Sequence, residues 1–115
     1  MPDSIETDIE SAHLQELRRG TVVLACLLIL RTPDYGYALL ERLAAAGIAT
    51  DGNTPYPLLR RLEKQELVTS EWNTDEARPR KFYRTSAAGQ ALATRLMRDW
   101  TDLTRTLTDL TGETE

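Results

Sequence analysis

The sequence predicts a mainly α-helical fold carrying one small β-hairpin, on three observations. Four stretches before residue 67 repeat apolar side chains at helical spacing. Two short runs rich in β-branched and aromatic residues flank a polar loop at 73–80. A long stretch after Ser86 carries apolar residues in alternating steps of three and four, the spacing of a coiled-coil seam. With 115 residues the chain has room for one hydrophobic core.

Taken in order, a first helix is expected from Ser4, a capping residue, to Arg19, with a partial stripe of Ile5, Ile9, Ala12 and Leu17. A second, Thr21 to Arg31, is apolar nearly all round and reads as the enclosed core helix, ended by Pro33 and Asp34. The third, Tyr37 to Ala46, turns Leu39, Leu40 and Leu43 inward and stops at Gly47, a residue suited to a left-handed cap. Thr50 to Asn53 is read as a connection. The fourth helix starts at Thr54 as cap, with Pro55 at its first position, and runs to about Glu66. Leu58, Leu59 and Leu62 face the core there, while Pro57, Arg60, Arg61 and Lys64 recur on the opposite side. Leu67–Trp72 and Lys81–Thr85 are the hairpin strands, and Ser86 caps the final helix, whose seam is Ala93, Leu96, Trp100, Leu103, Leu107 and Leu110.

The net charge of -4 argues superficially against a nucleic-acid partner, but its distribution reverses the argument. Acidic residues gather at the two ends (Asp3 to Glu16, Asp99 to Glu115), and Arg60, Arg61, Lys64, Arg78, Arg80, Lys81 and Arg84 concentrate between them. A local basic patch neutralises phosphates whatever the overall sum. The longest apolar run, Val22 to Leu30, is too short to span a bilayer, and no signal-peptide pattern opens the chain, so a cytoplasmic protein without a membrane partner is expected. Cys26 sits alone inside that run and reads as a small core residue; His13 has no second ligand beside it. Ser4, Ser11, Ser70 and Ser86 lie in no catalytic motif, and a Gly-rich phosphate loop is absent. The expectation is a non-enzyme with no metal and no cofactor.

A basic amphipathic helix followed by a basic hairpin, behind a helical core, is the arrangement of a winged helix-turn-helix. The helix matches the width of the DNA major groove, and the hairpin, or wing, grips the neighbouring backbone. On that reading, residues 1–19 form a helix supporting a dimer, 20–85 the winged helix-turn-helix, and 86–115 the dimerisation helix. The motifs sharpen it. Arg18-Arg19-Gly20-Thr21, Tyr35-Gly36-Tyr37, Thr54-Pro55-Tyr56-Pro57-Leu58-Leu59-Arg60-Arg61-Leu62-Glu63, and Arg78-Pro79-Arg80-Lys81-Phe82-Tyr83-Arg84 with Ser86-Ala87-Ala88-Gly89 closely resemble the PadR family of transcriptional regulators. The resemblance runs from about Arg18 to Leu110 and is similar to the subgroup with a short C-terminal segment. It implies a dimeric DNA-binding regulator, usually a repressor, whose recognition helix begins at the Thr-x-Tyr-Pro motif, here Thr54, Tyr56 and Pro57. Two positions depart from the family pattern: Pro55 stands for a Leu, and Glu66 for a Gly that commonly ends the recognition helix, at some cost in turn strain.

The candidate DNA-binding residues are therefore Thr54, Tyr56, Pro57, Arg60, Arg61 and Lys64 on the helix, with Arg78, Arg80 and Lys81 on the wing. Each has a plainer alternative. The three helix cations also suit a solvated face with local pairs such as Arg60 to Glu63, Tyr56 suits packing, and the wing cations suit a solvated loop. Of the adjacent Phe82 and Tyr83, Tyr83 is expected inward, and Trp72 is expected to pack on its strand. Leu96, Trp100, Leu103, Leu107 and Leu110 are the candidate homodimer interface. Trp100 is either interface core or one wall of a pocket for a planar aromatic effector, which some members of the resembling family bind between paired aromatic residues. The competing function is a winged-helix module that binds protein and not DNA.

Overall fold

The computed structural model describes residues 4–48, 55–75 and 77–112. Its elements are α1 (Ser4–Ile29), β1 (Asp34–Tyr35), α2 (Gly36–Ala45), α3 (Pro55–Lys64), β2 (Val68–Asn73), β3 (Arg80–Thr85) and α4 (Ala87–Leu110). A mainly helical chain with a small antiparallel sheet is the fold class expected.

The first two expected helices are one. Gly20 lies within α1, where a Gly costs only about 1 kcal/mol relative to Ala, a cost that burial of the apolar residues following it outweighs. The residue 19/20 boundary therefore falls inside a continuous helix. Its C-terminal half, with Leu24, Cys26 and Leu27, enters the core, as does Leu30 just after it; the preceding half, from Thr7 to Gly20, is exposed. Leu39 and Leu43 of α2, Leu58, Leu59 and Leu62 of α3, and Ala93 of α4 close around it.

The sheet has the order β1-β3-β2, all antiparallel. β1 escaped the sequence reading because two residues carry no periodicity. Pairing of Val68 with Thr85, Ser70 with Tyr83 and Trp72 with Lys81 puts these six on one face. Tyr83 is buried there as expected. Trp72 is not packed: it is 64% exposed, because the outer end of β2 reaches beyond the helices that cover Val68.

Polar bonds tie sheet to helices. Thr85 donates its amide to the Leu30 carbonyl (2.9 Å) and its hydroxyl to the Leu27 carbonyl (2.6 Å), pairing oxygens that the end of α1 leaves unsatisfied. Ser86 caps α4 as expected, its Oγ accepting from the Gly89 amide at 3.0 Å and donating to the Glu66 carbonyl at 2.7 Å. Gly89 is required, since a Cβ there would collide with the Leu67 carbonyl oxygen.

The ends of α2 and α3 share a chemistry. After α2, the Ile48 amide bonds to Leu43 O and the Gly47 amide to Ala44 O, with Gly47 at φ 80°. After α3, Leu67 N bonds to Leu62 O and Glu66 N to Glu63 O, the same Schellman pattern, but the left-handed residue is Glu66 at φ 63°. The turn strain expected of Glu66 has this conformation as its cause.

Candidate nucleic-acid interface

Helix α3 displays its cations as the spacing requires. Leu58, Leu59 and Leu62 are buried, while Tyr56, Pro57, Arg60, Arg61 and Lys64 are exposed. Among the described residues none forms an ion pair with Arg60, Arg61 or Lys64. The local pair between Arg60 and Glu63 is not made. Glu63 turns instead toward the wing, where it accepts a hydrogen bond from the Ser70 hydroxyl and lies 3.6 Å from Lys81 Nζ. Thr54 lies outside the described residues.

The ring of Tyr56 rests on Gly36, at the start of α2, where a Cβ would stand 2.8 Å from Cε1 of the ring. It is 41% exposed, so the side chain packs on one side and faces solvent on the other. Beneath it, burial pushes the Tyr83 phenol above the usual tyrosine range; the Glu63 carboxylate and Tyr56 add to this, and the Arg60 guanidinium opposes it.

The wing cations are not equivalent. Arg78 is exposed beyond the sheet. Lys81 is half-buried, paired with Glu63, and 5.8 Å from the centre of the Tyr83 ring. Arg80 lies over the rings of Tyr35 and Tyr37, with its guanidinium carbon 5.3 and 5.7 Å from their centres, and its Nη1 donates to the Tyr37 hydroxyl at 2.7 Å. Tyr35, Tyr37, Asn73 and Glu63 were not among the candidate residues. The sequence singled out Tyr35 and Tyr37 only through the Tyr35-Gly36-Tyr37 motif, whose hydrogen-bond partners lie some 40 positions away, and Glu63 only as the end of the α3 motif and a local partner for Arg60.

A family model for the transcriptional regulator PadR-like family matches residues 23–95, more than half of the chain and all of the surface just described. The chain belongs to the PadR-like family of transcriptional regulators. Regulation through DNA, not catalysis, is thus its function. The crystal structure of a PadR family regulator from Eggerthella lenta is similar at 42% identity, with a TM-score of 0.90 over 97% of this chain and 100% of that one. A PadR-like transcription factor from Bacteroides fragilis is similar at 27% identity and a TM-score of 0.71, over 90% and 98% of the two chains. A transcriptional regulator of Mycobacterium tuberculosis is 35% identical over 71 residues, which span 62% of this chain and 66% of that protein.

The candidate interface residues of this PadR-like chain divide along its helix axis. Among the described residues, no helix is long and apolar enough to cross a membrane. Leu96 is half-buried, but Trp100, Leu103, Leu107 and Leu110 of α4 are exposed, as are Ile9, Leu14 and Leu17 of α1. Two long helices thus leave apolar side chains exposed.

Proposed function

We propose that this PadR-like regulator is a sequence-specific repressor that binds operator DNA as a homodimer and is released by a planar aromatic effector. The observation that carries the reading is the cationic face of α3: Arg60, Arg61 and Lys64 are exposed and, among the described residues, without ion-pair partners beside the solvent-facing Tyr56. Helix α3 enters the major groove, Arg60 and Arg61 present donor forks suited to guanine edges or phosphates, and the wing lies along the adjacent backbone. The exposed seam of Trp100, Leu103, Leu107 and Leu110 supports a two-fold dimer in a cytoplasmic protein, since a stripe of this kind is normally covered. Trp100 then lies near the axis, where the two indoles offer a stacking surface.

The test is selection from a library of randomised 30-base-pair duplexes, followed by anisotropy titration of the enriched duplex. Enrichment of one sequence, with affinity lost in an Arg60→Ala, Arg61→Ala double variant, is expected. Equal binding of all duplexes by wild type and variant would favour the protein-binding alternative.

A further inference from the structure

We propose that Arg80 is a positioning residue for the wing, held against Tyr35 and Tyr37 so that it sets the hairpin's attitude toward α2 without itself holding a phosphate. The inference rests on the DNA-binding reading above.

Arg80 and Asn73 are cross-strand partners, the last pair of the sheet before the wing loop. Each grips one of two phenols at the start of α2: Asn73 Nδ2 donates to the Tyr35 hydroxyl at 2.7 Å, and Arg80 Nη1 to the Tyr37 hydroxyl at 2.7 Å. The two rings are stacked, 5.7 Å apart and 5° from parallel, with the Arg80 guanidinium against both and Phe82 meeting Tyr35 edge-on at 6.2 Å. Two attachment points on two rings fix rotation of the hairpin as one point does not.

This anchor matters because a two-stranded hairpin has little stability of its own. Its other face is held by Glu63, through Ser70 and Lys81. The wing is thereby fastened on one face to the recognition helix and on the other to the helix before it. For Arg80 to reach a phosphate, it would have to leave both rings and the Tyr37 hydroxyl, undoing the arrangement that places its neighbours. A flat guanidinium suits this role and a lysine ammonium does not, although both carry the same charge.

The experiment compares wild type with Arg80→Ala, Arg80→Lys, Tyr37→Ala and the Arg80→Ala, Tyr37→Ala double variant. The readouts are amide hydrogen exchange across the wing without DNA, and affinity for the duplex enriched by wild type. In the expected result, wing amides exchange faster in Arg80→Ala and Arg80→Lys while the α1 core stays protected. Both variants lose at least about fivefold in affinity, and the double variant is no weaker than the worse single one. A phosphate contact gives a different pattern: Arg80→Lys stays within about twofold of wild type and the two alanine effects multiply. That pattern, or wing exchange unchanged by Arg80→Ala, overturns the proposal. If wild type enriches no duplex, the DNA-binding reading falls by itself, and the exchange measurement alone decides the clamp.

Discussion

Lys81 of the wing lies 3.6 Å from Glu63 of α3, so a cation proposed for DNA is held by a carboxylate from the helix proposed to enter the groove. Both side chains are about one-third exposed, and such a pair is worth no more than about 1 kcal/mol. Its larger consequence is electrostatic. Glu63→Gln leaves an acceptor for Ser70, releases Lys81 and removes a charge that repels phosphate. We expect stability to change by less than about 1 kcal/mol and the salt dependence of DNA binding to steepen by about 0.9 in log-log slope, one added phosphate contact. Titrations at several salt concentrations check this. An unchanged slope would mean that Lys81 does not reach the backbone.

Glu66, just after α3, and Gly89, in the first turn of α4, make opposite predictions for glycine. Glu66 holds φ 63°, which costs a non-glycine residue on the order of 1 kcal/mol, so Glu66→Gly should stabilise the protein by up to about 1 kcal/mol. Gly89→Ala forces a methyl into the Leu67 carbonyl, a backbone atom that cannot swing aside, and should cost about 1–3 kcal/mol. Thermal unfolding separates them, because 1 kcal/mol shifts Tm by roughly 4–8 °C in a domain near this size. A lower Tm for Glu66→Gly would show that the Glu66 side chain compensates for its own backbone.

How these features were legible differs by their range. Local chemistry was readable: the Ser86 cap, the Gly47 stop and the inward leucines of α3 each depend on residues within a turn of one another, whereas the strain at Glu66 followed only from comparison with the family pattern. The continuity of α1 was missed because Gly20 resembles a stop, while its small cost is outweighed by the helix around it. The grouping of α3 cations was visible, but the fate of the wing cations was not. Arg80 meets Tyr37 from 43 positions away and Lys81 meets Glu63 from another element, so only the folded chain separates them from Arg78.

Cys26 gives a pH prediction whose sign follows from burial. The thiol is fully enclosed, and desolvation raises its pKa from 9.0 to about 11. Below pH 9 it is protonated in folded and unfolded chains alike, and its contribution is fully present. Between about 9 and 11 the unfolded chain releases the proton and the folded chain keeps it, so stability falls by roughly 2–3 kcal/mol as pH rises. Tyr83, also raised, adds a loss of the same sign at higher pH. Urea unfolding from pH 8 to 11 should show this decline, and Cys26→Ala should make it shallower. A thiol reagent at pH 8 should label the native protein only as fast as it opens; immediate labelling would contradict the burial.

The proposed dimer and its proposed regulation share one helix, α4. Trp100 is 53% exposed on a seam that continues through Leu103, Leu107 and Leu110, so covering that seam with a second copy places two indoles near one axis. Leu103→Glu with Leu107→Glu should therefore give monomers or aggregates in sedimentation, and an unchanged dimer would remove the seam as the interface. In the proposed dimer, the two α3 helices must match half-sites about 34 Å apart or a multiple of it, so a small rotation of one protomer misplaces both readers. A flat ligand stacked between the indoles acts on DNA only if it binds the mismatched arrangement more tightly, and a coupling of about 1–3 kcal/mol would weaken operator binding roughly 5- to 150-fold. With Trp72→Phe silencing the exposed wing indole, fluorescence reports Trp100 alone. Planar aromatic compounds should quench it in proportion to their loss of operator affinity. If the signal and the affinity both stay constant across a panel of such compounds, Trp100 serves only the interface, and release from DNA has another cause.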